Sequence, residues 1–215
     1  MAAAEFYLRQ LELGPMQNFV YLIGDAATRE AAVVDPGWEV PKILAAVEQD
    51  GYRLTAAFVT HHHFDHTGGL PELLNALDIP VYVHRDDAPL VKIAPSSLRL
   101  VSGGDTVQVG AIPVGLIHTP GHTPGSQCLM VAGRLLTGDT LFIKACGRWD
   151  LPGGDPSKLY ESLNVKLKAL DEATAVYPGH NYADRPTSTI GDEKRDNPFL
   201  QAPSREAFLR AIGRA

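Results

Sequence analysis

Residues Thr60–Gly69 read THHHFDHTGG: four histidines and an aspartate within six positions, then a threonine and two glycines. The run follows TAAFV, an apolar stretch that reads as a strand. The histidines therefore sit at a strand's C-terminal end, where layered α/β proteins commonly build their sites. If the chain stays extended past the strand, side chains alternate. His61, His63 and Asp65 then converge on one side, while His62 and Phe64 face the other. Imidazoles and a carboxylate in this arrangement suit zinc, iron or manganese. Any one histidine is more often a surface or hydrogen-bonded core residue, so donors elsewhere in the chain must decide.

Three further segments repeat the context of a strand ending in a turn with a donor. HTPGHTPGS places His122 in a Pro/Gly-rich loop, LLTGDTLF places Asp139 after an apolar run, and AVYPGHNY places His180 after another. Glycine beside a donor is expected where backbone must pass close to an ion. Four separated segments agreeing in this way favour a metal centre over coincidence. His84 and His118 fall outside the pattern and read as structural.

The chain's 215 residues suffice for one large domain, residues 1–215, that buries about 70% of its unfolded surface without staples. Acidic and basic residues are interspersed and the formal net charge is −6. That balance gives no electrostatic footprint for nucleic acid or an anionic membrane. Cys128 and Cys146 are the two cysteines, so no disulfide framework is implied. The start, MAAAEFYLRQ, lacks the basic and apolar regions of a signal peptide, and no apolar stretch approaches the ~20 residues of a membrane span. The expectation is a cytoplasmic protein acting on a small molecule, with no nucleic-acid or membrane partner. A homo-oligomer is left open.

Short apolar runs read as strands: EFYLRQLEL, NFVYLIG, AAVVD, TAAFVTH, IPVYVH, IPVGLIHT, QCLMVAG, RLLTGD and TAVYPGH. Many are continuous rather than alternating, as in strands covered on both faces. VPKILAAVEQDG, GLPELLNALD, DPSKLYESLNVKLKAL and PSREAFLRAIGR read as helices, the third with Asp155 as N-cap and Pro156 at its first position. The segment APSSLRLVSGGD divides the two halves. The architecture expected is α/β, with two sheets packed face to face and helices outside.

These motifs resemble the metallo-β-lactamase superfamily, from about Asn18 to Phe199. The resemblance implies an αβ/βα four-layer sandwich of two mixed sheets. It implies that His61, His63 and His122 hold one metal, that Asp65, His66 and His180 hold a second, and that Asp139 bridges them. His62 is the spare, an outward or supporting side chain. Asp139 separates the chain from true β-lactamases, which lack the bridging aspartate. His63 separates it from flavodiiron oxygen reductases, which carry glutamate there. The extra domain of the nucleases does not fit in this length.

Two branches remain. THHHFDHTGG, TPGHTPGS, GDTLF and YPGHNY resemble glyoxalase II, the hydroxyacylglutathione hydrolases. ACGRWDLPGGDPSKLYESL and TSTIGDEKRDNPFL resemble the persulfide dioxygenases and the short glyoxalase II-like hydrolases of bacteria. The first branch implies a hydrolase that cleaves a thioester such as an S-acylglutathione with a metal-bound hydroxide. It uses two divalent ions (zinc, with iron or manganese as alternatives), and Asp65 shifts a proton during turnover. The second implies a single iron on His61, His122 and Asp139, acting on glutathione persulfide. A non-catalytic metal-binding protein ranks third, because such proteins lose ligands and all seven are present.

The larger glyoxalase II enzymes carry lysine and tyrosine at the positions of Arg148 and Asp150, and a C-terminal helical domain where only fifteen residues follow NPFL here. Arg148 can hold a substrate carboxylate, with Asp150 orienting it. The competing reading is a structural ion pair. Tyr182 matches a glutathione-contacting tyrosine. Neither cysteine is expected to act as nucleophile.

Overall fold

The strand NFVYLIG was expected to be covered on both faces, and in the computed structural model, which describes residues 5–212, every residue of it is buried. It is β2 (Asn18–Asp25), pairing antiparallel with β1 (Phe6–Leu13) and β3 (Glu30–Val34). Helix α1 (Val40–Gln49) crosses over to β4 (Arg53–Phe58), which joins β3 in parallel. Then come α2 (Phe64–Thr67), α3 (Leu70–Ala76), β5 (Val81–His84) and β6 (Leu98–Val101). The sheet runs in order β1 to β6 and is mixed, its last four strands parallel.

The second sheet contains β7 (Thr106–Val109), β8 (Ile112–His118), β9 (Gln127–Val131) and β10 (Arg134–Gly138) as an antiparallel meander. A small hairpin of β11 (Leu141–Phe142) and β12 (Ala145–Cys146) follows, then α4 (Pro156–Tyr160). Strand β13 (Ala175–Pro178) returns parallel to β10, and β14 (Ser188–Thr189) closes the edge before α5 (Ile190–Asp196) and α6 (Arg205–Ala211).

Three apolar layers hold this together. Alternation along β2 sends Val20 and Leu22 toward Ile43, Val47, Leu70 and Leu73 of α1 and α3. The intervening Phe19, Tyr21 and Ile23 face Leu116, Leu129 and Leu136 of the second sheet. On the far side Cys128 and Leu135 pack beneath Leu159, Leu163 and Phe208. The result is the αβ/βα four-layer sandwich of two mixed sheets. No helix among the described residues is long and apolar enough to cross a membrane.

Several elements depart from the sequence reading. Within APSSLRLVSGGD, LRLV forms β6, the last strand of the first sheet, before the chain crosses to β7. At four residues it is too short to show a strand period against the polar segment around it. In DPSKLYESLNVKLKAL the Asp155 carboxylate caps Ser157 N and Lys158 N as expected, but the helix widens to a π-helical turn over Glu161–Leu167, where Lys168 N bonds to Leu163 O. Helix α5 was not expected from GDEKRD. Its N-cap Thr189 accepts from Asp192 N, and it has no apolar stripe to announce it. The expected tail helix is present over Arg205–Ala211, and its end beyond residue 212 lies outside the described residues, as do the first four positions of MAAAEFYLRQ.

Candidate metal centre

The sandwich brings one group of loops together at the ends of the strands. His61 and His63 follow β4. The extended course expected through Asp65 stops at His63, because His66 N and Thr67 N bond to His63 O and start α2. Asp65 and His66 therefore emerge from a helical turn, and Phe64 does not point away. Its ring lines the pocket beside Asp65 and His63. His122 comes from the loop after β8, Asp139 from the turn after β10, and His180 from the end of β13.

Two donor clusters result. In the first, His63 Nδ1 lies 3.1 Å from His61 Nε2 and 2.9 Å from His122 Nε2. In the second, His66 Nε2 and His180 Nε2 are 3.2 Å apart, and Asp65 Oδ2 is 3.4 Å from each. Asp139 faces both: Oδ2 lies 3.6 Å from His122 Nε2 and 3.4 Å from His180 Nε2, and Oδ1 lies 3.4 Å from His66 Nε2. All seven residues singled out in the sequence meet here.

The surrounding hydrogen bonds fix the chemistry of each ring. His122 Nδ1 donates to Arg148 O at 2.6 Å and His180 Nδ1 to Met16 O at 2.9 Å. His66 Nδ1 is 2.9 Å from Asp35 Oδ2. Thr60 Oγ1 gives its proton to Asp35 Oδ2 at 2.6 Å, so it accepts from His61 Nδ1 at 3.1 Å. In His61, His122, His66 and His180 a proton on Nδ1 leaves Nε2 to face the cluster, whereas His63 faces it through Nδ1, so its proton in the neutral ring belongs on Nε2.

Lone pairs at about 3 Å with no proton between them repel, and a cation at their centre removes the repulsion. Burial, then neighbouring imidazoles, pushes His63 down to about 4, and the same causes push His61 well below its ordinary value. Burial opposes charge on His66 as well, yet the Asp139 and Asp35 carboxylates raise it well above the usual imidazole range. These carboxylates call for positive charge at the second cluster. Asp139 Oδ1, buried, has no hydrogen-bond partner among the described residues. An orphaned carboxylate oxygen among bare imidazole nitrogens fits a divalent transition cation. Gly179 permits the approach, since a Cβ there would lie 2.5 Å from Asp139 Oδ1.

Sequence reading missed Asp35, Asn18 and Asp87. Asp35 ends β3 with φ 55° and accepts from Thr60 N, Thr60 Oγ1 and His66. Asn18 donates to Asp65 Oδ2 at 3.0 Å and accepts from Trp38 Nε1 at 2.8 Å. Asp87 accepts from His62 N, Thr123 Oγ1 and Gly125 N, and its Oδ2 lies 2.9 Å from His62 Nδ1. His62 thus points away from the clusters and ties the His61–His66 segment to the His122 loop. His84 and His118 stack at 3.9 Å near Asp86. His118 Nε2 already donates to Pro124 O, and His84 Nδ1 accepts from Asp86 N, so the pair braces the same loop.

Arg148 and Tyr182 both line the pocket over the clusters. Arg148 Nε and Nη2 bind Asp150 Oδ1 and Oδ2 at 2.9 and 3.0 Å. Tyr182 stacks on the His180 ring at 4.6 Å. Cys146 also lines the pocket, but burial pushes its thiol up to about 12, and burial pushes Cys128 up to about 11. Both shifts favour the protonated thiol, which argues against a nucleophilic role for either cysteine.

Comparison with known proteins agrees with this geometry. A family model described as the metallo-beta-lactamase superfamily matches residues 13–180. The hydroxyacylglutathione hydrolase of Alkalilimnicola ehrlichii is 42% identical over 192 residues, covering 88% of this chain and 72% of that protein. The crystal structure of ETHE1 from Myxococcus xanthus superposes with a TM-score of 0.87 at 36% identity, covering 96% of this chain and 90% of that one. TTHA1623, solved in a di-iron-bound form, superposes with a TM-score of 0.78 at 36% identity, covering 89% and 100%.

Proposed function

Since the chain belongs to the metallo-β-lactamase superfamily, we propose that it is a metal-dependent thioester hydrolase of the glyoxalase II type. Its substrate class is an S-acylglutathione, and each donor cluster holds one divalent ion (zinc, with iron or manganese as alternatives). The observation that carries this reading is the complete second cluster, with Asp139 facing both groups of donors.

Bound there, such ions lower the pKa of water toward ~7 and polarise a carbonyl oxygen. The residues supply the rest. His61, His63 and His122 are held neutral and aimed by their second nitrogens or by burial. Asp65, fixed by Asn18, presents a carboxylate at the pocket floor that can take and return a proton. The departing thiol has an ordinary pKa near ~8.5, so its thiolate leaves without a strong general acid. Arg148 has two of its nitrogens engaged by Asp150, which leaves Nη1 for a carboxylate of the thiol carrier. A bidentate hold on substrate would require Asp150 to let go.

Replacing Arg148 with Ala is expected to lower kcat/KM by at least ~10-fold, or ~1.4 kcal/mol, with metal content intact. Unchanged kinetics with reduced thermal stability would assign the pair to bracing the loop.

A second reading draws on ACGRWDLPGGDPSKLYESL and TSTIGDEKRDNPFL, which resemble persulfide dioxygenases as well as the short glyoxalase II-like hydrolases of bacteria: one iron on His61, His122 and Asp139, acting on glutathione persulfide. Two assays separate the readings, S-lactoylglutathione hydrolysis by zinc- or manganese-loaded protein and oxygen uptake on glutathione persulfide by iron-loaded protein. Thioester cleavage with two ions per chain is the expected result. Rapid oxygen uptake at one iron per chain, with negligible cleavage, would replace the first reading with the second.

A further inference from the structure

The pocket over the donor clusters has a volume of about 570 Å³. Its floor is polar, made by His63, Asp65, His122, Asp139 and His180, but its walls are not. Met16, Phe64, Phe142, Leu151, Pro152 and Tyr182 form them. Three of these, Met16, Phe64 and Tyr182, are 38%, 65% and 56% exposed, and they account for half of the six exposed large hydrophobic residues among those described. Large apolar side chains gathered at the rim of a cavity mark a surface that a ligand covers.

The rings are also held in place before any ligand arrives. Phe64 meets Trp38 edge to face at 5.9 Å, and Trp38 is anchored through its indole nitrogen to Asn18. Tyr182 stacks on His180 and meets Phe142 at 5.6 Å. By contrast, the lining carries one guanidinium, Arg148, and no lysine among the described residues. That guanidinium is already paired with Asp150. A carrier with two carboxylates finds one shared cation among the lining side chains.

We propose that the acyl half of the substrate is apolar: the pocket takes thioesters of medium-chain or aromatic acids in preference to the small hydroxyacyl group of S-lactoylglutathione, with Phe64 and Phe142 setting the preference. This rests on the thioester reading above and narrows its substrate class. Each methylene covered by the wall contributes about fourfold in affinity.

The test uses metal-loaded protein and two thioethers that cannot be cleaved, S-methylglutathione and S-octylglutathione, titrated by calorimetry. Partial coverage of the seven added methylenes gives S-octylglutathione at least about a hundredfold tighter binding, and Phe64→Ala reduces that ratio about tenfold. Phe64 is exposed, so its replacement leaves the core intact. Equal affinities for the two thioethers overturn the proposal whether or not the protein cleaves thioesters. In the kinetic arm, S-octanoylglutathione exceeds S-lactoylglutathione in kcat/KM by at least about tenfold, and the reverse order overturns the proposal. Tight octyl binding without cleavage of either thioester keeps the apolar pocket and removes the hydrolase reading instead.

Discussion

Asp139→Ala should empty both donor clusters at once and lower kcat/KM by ~10³-fold, equivalent to ~4 kcal/mol of transition-state stabilisation. The carboxylate is the side chain that faces both clusters, with one oxygen toward His66 and the other toward His122 and His180. Metal analysis of protein purified without added metal reads the effect directly. His62→Ala is the contrast. That ring is turned toward Asp87, so metal content should stay near wild type while stability falls by ~1–3 kcal/mol, because a buried carboxylate loses a partner. If His62→Ala strips the metal and His63→Ala does not, the assignment of the two faces is wrong.

Asp35→Asn should weaken metal binding at the second cluster by ~10–100-fold without unfolding the protein. Asparagine tolerates the left-handed backbone found at Asp35, and its carbonyl can still accept from Thr60. Its amide nitrogen donates where the second carboxylate oxygen accepted. His66 must then accept on Nδ1 and carry its proton on Nε2, the atom that faces Asp65 and His180. The ring stays in place but its lone pair points the wrong way. Circular dichroism with a wild-type melting profile, alongside a lost second equivalent of metal, is the expected result. Full metal occupancy would show that Asp35 does not set the tautomer.

The donors were legible because each sits at a strand end in a distinctive setting, and continuous apolar runs such as NFVYLIG reveal strands covered on both faces. The supporting residues were not. Asp35 in VVDPG reads as an ordinary turn, and nothing in the one-dimensional pattern shows that its left-handed backbone aims a carboxylate at His66, thirty-one positions on. Asp87 and Asn18 act across similar gaps, through contacts that exist only once strands distant in sequence have come together. The Phe64 error has a local cause. An alternation argument holds only while the chain stays extended, and one helical turn redirects every side chain after it. Strand β6 was hidden because four residues are too few to show a period, and helix α5 because it carries no apolar stripe.

The donors are divided between the two sheets. His61, His63, Asp65 and His66 hang from the first, whereas His122, Asp139 and His180 hang from the second. Each cluster draws on both, so an ion seated in either one is a cross-link between halves of the sandwich. Its binding energy becomes folding energy, and an ion present at a thousand times its dissociation constant adds ~4 kcal/mol against separation of the sheets. A chelator is therefore expected to lower the melting temperature as well as the activity, and a chain whose sheets dock out of register cannot assemble either set of donors.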